Sequence, residues 1–218
     1  MPHPPGVTTN ATNPVKLDGP AGKQADTLPS VHDLIRVRWS PRSFSAREVS
    51  NEDLKTVLDA ARWAASSYNE QPWRFLVARK SDGEAYEKML SVLVPFNQSW
   101  AKSAPVLIVM AAKRTFSHNQ QPNRFALHDA GAALAYLFLQ ATASGLHAHG
   151  MAGLDFDKAR TELGIPDDYE VSAAVALGYL GAAEELPESM RAGELAKRTR
   201  KPLSEVAFGA HWGRPLDV

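Results

Sequence analysis

Three stretches of the chain gather residues suited to binding chemistry. Arg38-Trp39-Ser40-Pro41-Arg42 places two guanidinium groups and a hydroxyl within five residues. A guanidinium is a planar fork that donates two parallel hydrogen bonds to an oxyanion, so such a cluster fits a phosphate monoester. Lys197-Arg198-Thr199-Arg200-Lys201-Pro202 is a second basic cluster far along the chain. Either cluster alone also reads as a solvated turn or tail. A phosphate needs several donors, so the pair gains meaning if the fold joins them. Ser66-Ser67-Tyr68-Asn69-Glu70-Gln71-Pro72-Trp73 collects two hydroxyls and two carboxamides. A carboxamide donates and accepts at once, which suits a uracil-like edge of alternating C=O and N–H groups. His147-Ala148-His149 would put two imidazoles on one face of a strand. No third ligand stands at a supporting spacing, so a metal site is not expected.

Composition narrows the classes. The 218 residues carry 24 Lys+Arg and 24 Asp+Glu, a formal net charge of zero. General nucleic-acid binding needs a basic surface and is not expected. With no cysteine, disulfides, thiol catalysis and iron–sulfur ligation are excluded. The longest apolar runs, Pro105 to Ala112 and Val171 to Leu180, are too short for a helix to span a bilayer. The first residues lack a basic start followed by an apolar stretch, so a cytoplasmic location is the default expectation.

The elements that must position these stretches follow from periodicity and punctuation. Residues 1–30, rich in Pro, Gly, Thr and Asn, read as a disordered extension, and residues 31–218 as one domain. A short helix is expected over 31–38. Ser50-Asn51-Glu52-Asp53 resembles a capping box, and Leu54, Val57, Leu58, Ala61 and Ala65 then share one helical stripe. Trp73 to Ala78 reads as a strand, Glu84 to Leu93 as a helix and Pro105 to Ala112 as a doubly buried strand. Residues 124–143 form a long helix without a polar face, which must be covered by core or by another subunit. A helix over 156–163 and a third strand over 171–180 follow. The segment from Glu184, with Pro187, Pro202 and Pro215, reads as an extended arm. Long helices with few strands make an α+β chain. No G-x-G-x-x-G, Walker or nucleophile-elbow motif is present.

In this order the stretches resemble a known family. Arg38-Trp39-Ser40-Pro41-Arg42-Ser43-Phe44 is similar to the R-[RH]-S-x-[RK]-x-[FY] signature of nitroreductase-like flavoproteins. Ala64 to Phe75 resembles that family's A-P-S-x-x-N-x-Q-P-W-x-F segment. Gly145 to Asp155, Ala176-Leu177-Gly178-Tyr179 and Arg198-x-Arg200-Lys201-Pro202-Leu203 follow in the family's order. The likeness runs over roughly residues 31–214.

The resemblance implies an α+β fold with a central, mostly antiparallel mixed sheet, and an intertwined homodimer holding FMN between its subunits. The long apolar helix would lie at the interface and the C-terminal arm would be exchanged. By the match, Arg38, Ser40, Arg198 and Arg200 would hold the FMN phosphate, with Trp39 beside them. Arg42 would reach the pyrimidine side of the isoalloxazine, stabilising the charge that reduction puts there. Ala65, Ser66, Ser67, Asn69 and Gln71 would come from the partner subunit. Asn97 would contact the ring, and Met151, Ala152 and Gly153 would place backbone near N5 and O4. The implied reaction is ping-pong: NADH or NADPH passes hydride to flavin N5, then a small aromatic acceptor, a nitroarene or quinone, takes it. The protein supplies binding and electrostatics, so no catalytic side chain is assigned. The same fold also hosts dehalogenation, dehydrogenation, flavin fragmentation and non-catalytic FMN binding. Four positions depart from the pattern: Ala65 stands where Pro is common, Trp39 replaces Arg or His, Trp100 a Lys found in some members, and Ala152 a Glu. The polar stretch Thr115 to Phe125 reads either as a loop shaping substrate access or as a plain surface loop.

Overall fold

A computed structural model describes residues 22–218. Its centre is a four-stranded sheet ordered β1-β2-β4-β3, from β1 (Trp73–Arg79), β2 (Val106–Lys113), β3 (His147–Met151) and β4 (Tyr169–Gly178). All three pairings are antiparallel. Among the described residues of the single chain it has no parallel pair. β2 is the spine. Its apolar residues are buried on both faces, as the run of β-branched and small residues requires.

Around the sheet lie α1 (Asp33–Val37), α2 (Asn51–Ala61), α3 (Glu84–Ser91), α4 (Pro95–Ala101), α5 (Ala126–Ala143), α6 (Phe156–Leu163) and α7 (Glu188–Leu195). α2 starts as its sequence dictates: the Ser50 hydroxyl accepts from the Asp53 N–H at 2.9 Å, satisfying one orphan donor of the first turn. α6 is capped in the same way by Asp155 and closed by Gly164 in the left-handed region.

α5 divides its apolar surface. Ala130, Ala133, Leu137 and Ala141 are fully buried towards the sheet and α2. On other sides Leu127 and Tyr136 are exposed. Exposed Ile35 on α1 and Trp63 after α2 add to the uncovered apolar surface. Monomeric proteins do not usually leave large contiguous apolar surface in water.

Four expectations need correction. β3 adds a fourth strand, and α4 a helix between α3 and β2. The segment after Glu184 is not wholly extended, because α7 interrupts it. The disordered extension cannot reach residue 30: the Ala25 N–H donates to Arg36 O at 2.8 Å and the Lys23 amine to Ala196 O at 2.6 Å. Those bonds fix residues 22–30 against the fold; residues 1–21 lie outside the described residues.

Gly181 shows how closely the Ser40–Phe44 segment rides on the sheet. Phe44 bridges Leu180 just beyond β4, and a Cβ on Gly181 would come within 2.7 Å of Phe44 carbonyl carbon and 2.6 Å of Ser43 Oγ. Gly181→Ala should therefore cost about 1–3 kcal/mol of stability, the usual penalty for overpacking. Chemical denaturation measures it; an unchanged midpoint would mean the segment moves freely.

Candidate functional site

The two basic clusters meet. Arg38, Trp39, Ser40 and Arg42 line one cavity of about 250 Å³ together with Lys23, Gly193, Glu194, Ala196, Lys197, Arg198 and Arg200. Six cationic side chains therefore face a single carboxylate there. α7 does the joining: it runs along the Ser40–Phe44 segment and delivers residues 196–200 at its end.

Three of these cations, Lys23, Arg38 and Arg198, are held by neutral groups. One Arg198 nitrogen donates to Lys23 O at 3.0 Å and to Arg36 O at 2.9 Å. Arg38 donates to Ser40 Oγ at 3.3 Å. The Lys23 amine stands 4.7 Å over the Trp39 ring, a cation–π contact. Burial, then the neighbouring Arg198 and Arg200, pushes the Arg38 pKa down. Arg198 is lowered by burial and by Arg200. Lys23 is lowered by burial and Arg198, against the raising effect of Glu194. Such mutual repulsion is what an oxyanion in the cavity would relieve.

The turn bearing Arg42 is gripped from two sides. Glu194, buried on α7, accepts the Arg42 N–H at 2.9 and 3.1 Å and the Ser43 N–H at 3.3 Å. His149 Nδ1 donates to Pro41 O at 2.8 Å. Neither role was visible in sequence. Glu194 sits in no motif, and its signal is solely its helical position beside the basic cluster. Burial lowers the pKa of both His147 and His149 to about 4; for His149, Arg42 and Arg38 add to the lowering while its bond to Pro41 opposes it. Both are neutral near pH 7. Trp100, the Lys departure, is buried between Phe44 and His149, with its ring 4.6 Å from the imidazole. It supports His149 from within the core.

Arg42 leads to a second group of expected residues. Its guanidinium lies 6.0 Å from the Phe96 ring, and its Nε is buried without a hydrogen-bond partner among the described residues. Asn97 Nδ2 donates to Gly153 O at 2.8 Å. A Cβ at Gly153 would meet Asn97 Nδ2 at 2.6 Å and Val94 Cγ2 at 2.9 Å, so a side chain there would have to displace one or both. Ala152 is exposed, but the Met151 side chain is buried in the core. Met151 can therefore offer a ligand its backbone alone.

The remaining expected residues lie elsewhere. Ala65, Ser66, Ser67, Asn69 and Gln71 precede β1, whose Trp73 pairs with Ala112, itself paired with Glu170. The Arg38–Phe44 segment contacts β3, the opposite edge strand, and bridges Leu180. Glu170 and Leu180 are about 30 Å apart along the strand, and the two edge strands about 14 Å apart across the sheet. In one chain the two groups occupy diagonally opposite corners.

The corner loop is shaped rather than slack. Tyr68, Asn69 and Gln71 have φ of 53°, 53° and 52°, a left-handed conformation that costs non-glycine residues roughly 1–3 kcal/mol each. The cost is met by tethers. Asp129, buried on α5, accepts the Ser67 N–H at 2.9 Å, Ser66 Oγ accepts the Gln71 N–H at 3.0 Å, and the Gln71 amide donates to Asn69 O at 3.0 Å.

The model of the nitroreductase family matches residues 35–179. An uncharacterized 15.4 kDa protein of Mycolicibacterium smegmatis is 34% identical over 66% of this chain and 99% of its own length. Nitrobenzene nitroreductase of Ectopseudomonas oleovorans is 27% identical over 75% of this chain and 91% of its own. A crystal structure described as an oxidoreductase containing FMN superposes with a TM-score of 0.81 at 38% identity, covering 88% of this chain and 96% of that one. The Ser40–Phe44 segment, the Gln71-Pro72-Trp73 corner and the four-stranded sheet all fall inside the matched span, and on this footing the chain belongs to the nitroreductase family.

Proposed function

We propose that this protein is an FMN-dependent oxidoreductase that takes reducing equivalents from NAD(P)H and passes them to a small aromatic acceptor, as a homodimer with shared sites. The observation that carries the reading is the cavity where Arg38, Ser40, Arg198 and Arg200 converge, with the Arg38 and Arg198 pKa values lowered by burial and by their cationic neighbours. An excess of positive charge around one cavity fits a dianionic phosphate monoester. The FMN of the structural neighbour and the nitroarene reduction named for a relative are consistent with it.

When bound, FMN would accept hydride from NAD(P)H and return it to the acceptor. The chain supplies the rest. Arg198, fixed by two carbonyls, and Arg38, steadied by Ser40, present their remaining N–H groups to the phosphate. Arg42 extends from its braced turn with an unsatisfied Nε, a cation for the pyrimidine side. Asn97 and Gly153 shape the adjoining wall. Ser66, Ser67, Asn69 and Gln71 complete the site from a second copy, because their own corner is too distant. Exposed Leu127 and Tyr136 on α5, with Ile35 and Trp63, provide apolar surface for that second copy to cover.

Arg200→Ala should weaken FMN binding about tenfold to a hundredfold, since a charge-assisted hydrogen bond contributes about 1.5–3 kcal/mol. Flavin fluorescence quenching measures it. Undiminished occupancy would remove the phosphate assignment. The shared site has its own test: Arg200→Ala and Gln71→Ala chains each bind poorly alone, but a mixed dimer should recover one intact site. Failure to recover would place both residues in the same subunit's site.

The histidines set an acid limit. With folded pKa values of about 4 against an ordinary value near 6.5, the folded state holds fewer protons. Its stability is full above about pH 6.5 and declines as pH falls towards 4. FMN retention should follow the same limb, and His149→Asn, which keeps a donor for Pro41 O, should flatten it. A limb identical in the variant would locate the titration elsewhere.

A further inference from the structure

A closed loop beyond β2 stands next to the corner that bears the Gln-Pro-Trp segment. Thr115 bridges Pro122, the Phe116 N–H donates to Gln121 O at 2.9 Å, and the Gln120 N–H to Phe116 O at 2.8 Å. The Gln120 amide donates to Ser117 O, and Asn119 Oδ1 accepts the Gln121 N–H. This loop is hydrogen-bonded within itself and holds a shape. Glu70 fastens it to the corner: its carboxylate accepts from the Ser117 N–H at 2.8 Å and the Ser117 hydroxyl at 2.6 Å. Burial alone would raise the Glu70 pKa, yet the Ser117 bonds with the Lys113 and His118 charges hold it below the usual value. The tether is therefore ionised and intact near neutral pH.

The tether's result is an aromatic group on the surface. Tyr68 and Phe116 meet edge to face at 5.6 Å, and His118 lies 5.5 Å from Tyr68 and 5.4 Å from Phe116. Tyr68 is 82% exposed despite its left-handed backbone at φ 53°. A large ring placed in water by a strained backbone gains nothing for the fold of one chain. Two rigid loops bring these rings together, and one of them is the proposed flavin-contacting segment.

We propose that Tyr68, Phe116 and His118 form the platform that receives the ring of the aromatic acceptor, so that loop 115–122 sets acceptor specificity. This rests on the flavin-reductase reading above. Offset and edge-to-face contacts favour a planar, electron-poor ring such as a nitroarene. An inorganic acceptor offers no face to stack and gains nothing from the platform. The chemistry at the flavin is unchanged; the rings supply binding and orientation alone.

The test uses the full-length holoprotein with NADH and two acceptors, nitrobenzene and ferricyanide. Phe116→Ala should raise KM for nitrobenzene about tenfold, leaving KM for NADH and turnover with ferricyanide unchanged. Phe116→Trp should restore the nitrobenzene value. Calorimetric binding of nitrobenzene to the oxidised protein, where no turnover occurs, should weaken by the same factor in Phe116→Ala and recover in Phe116→Trp. Equal losses with both acceptors, or no loss, would overturn the platform. So would a change in oligomeric state of Phe116→Ala by size-exclusion chromatography, which would assign the rings to a subunit contact. If the unsubstituted holoprotein shows no NAD(P)H-dependent flavin reduction, the flavin-reductase reading fails first and the platform falls with it.

Discussion

Like charges resist being gathered, and that resistance governs how this molecule is built. Around one cavity stand six cations and one carboxylate, in a chain whose formal net charge is zero. The fold offsets the repulsion with groups that carry no charge. Backbone carbonyls of Lys23, Arg36 and Ala196 accept from Arg198 and Lys23, and the Trp39 ring faces the Lys23 amine. Glu194 is spent on two backbone N–H groups rather than on a guanidinium. The arginines thus retain donors for an incoming anion. Pairing each with a carboxylate would have made a quieter protein with less capacity to bind phosphate.

The second constraint is distance. A four-stranded sheet separates its corners by more than a mononucleotide can bridge, and the two polar constellations occupy opposite corners. In the proposed homodimer, two-fold symmetry would bring one copy's corner to the other copy's opposite corner, and would do so twice. The exposed Ile35, Trp63, Leu127 and Tyr136 would then have a partner surface. The corner loop is already shaped within the single chain. Asp129 and Ser66 hold Tyr68, Asn69 and Gln71 in a conformation that the isolated segment would abandon.

Much of this was legible in the chain, and the failures have physical causes. The Ser50 cap announces α2 because capping is local chemistry. The β-branched run of β2 declares burial on both faces. β3 escaped because His147-Ala148-His149-Gly150-Met151 has no β-branched residue; it is a strand by virtue of pairing with β4. α4 begins at a proline and has seven residues, too few to display a stripe. α7 hides among charges, since only Leu186 before it and Glu194 within it are well buried. The arginine motifs showed what each cluster could bind, but not that α7 would bring them together. Glu194 had no signature at all: a carboxylate that serves backbone N–H groups looks, in sequence, like any solvated glutamate.

Lys23 couples two parts of the molecule. Its amine and its carbonyl are both knotted to the 196–198 stretch, so the segment leading into the fold is secured by the same residues that wall the cavity. A displacement of that wall is thereby passed directly to the segment that carries Lys23 into the fold, and the entry of the chain and the lining of the cavity are mechanically one unit.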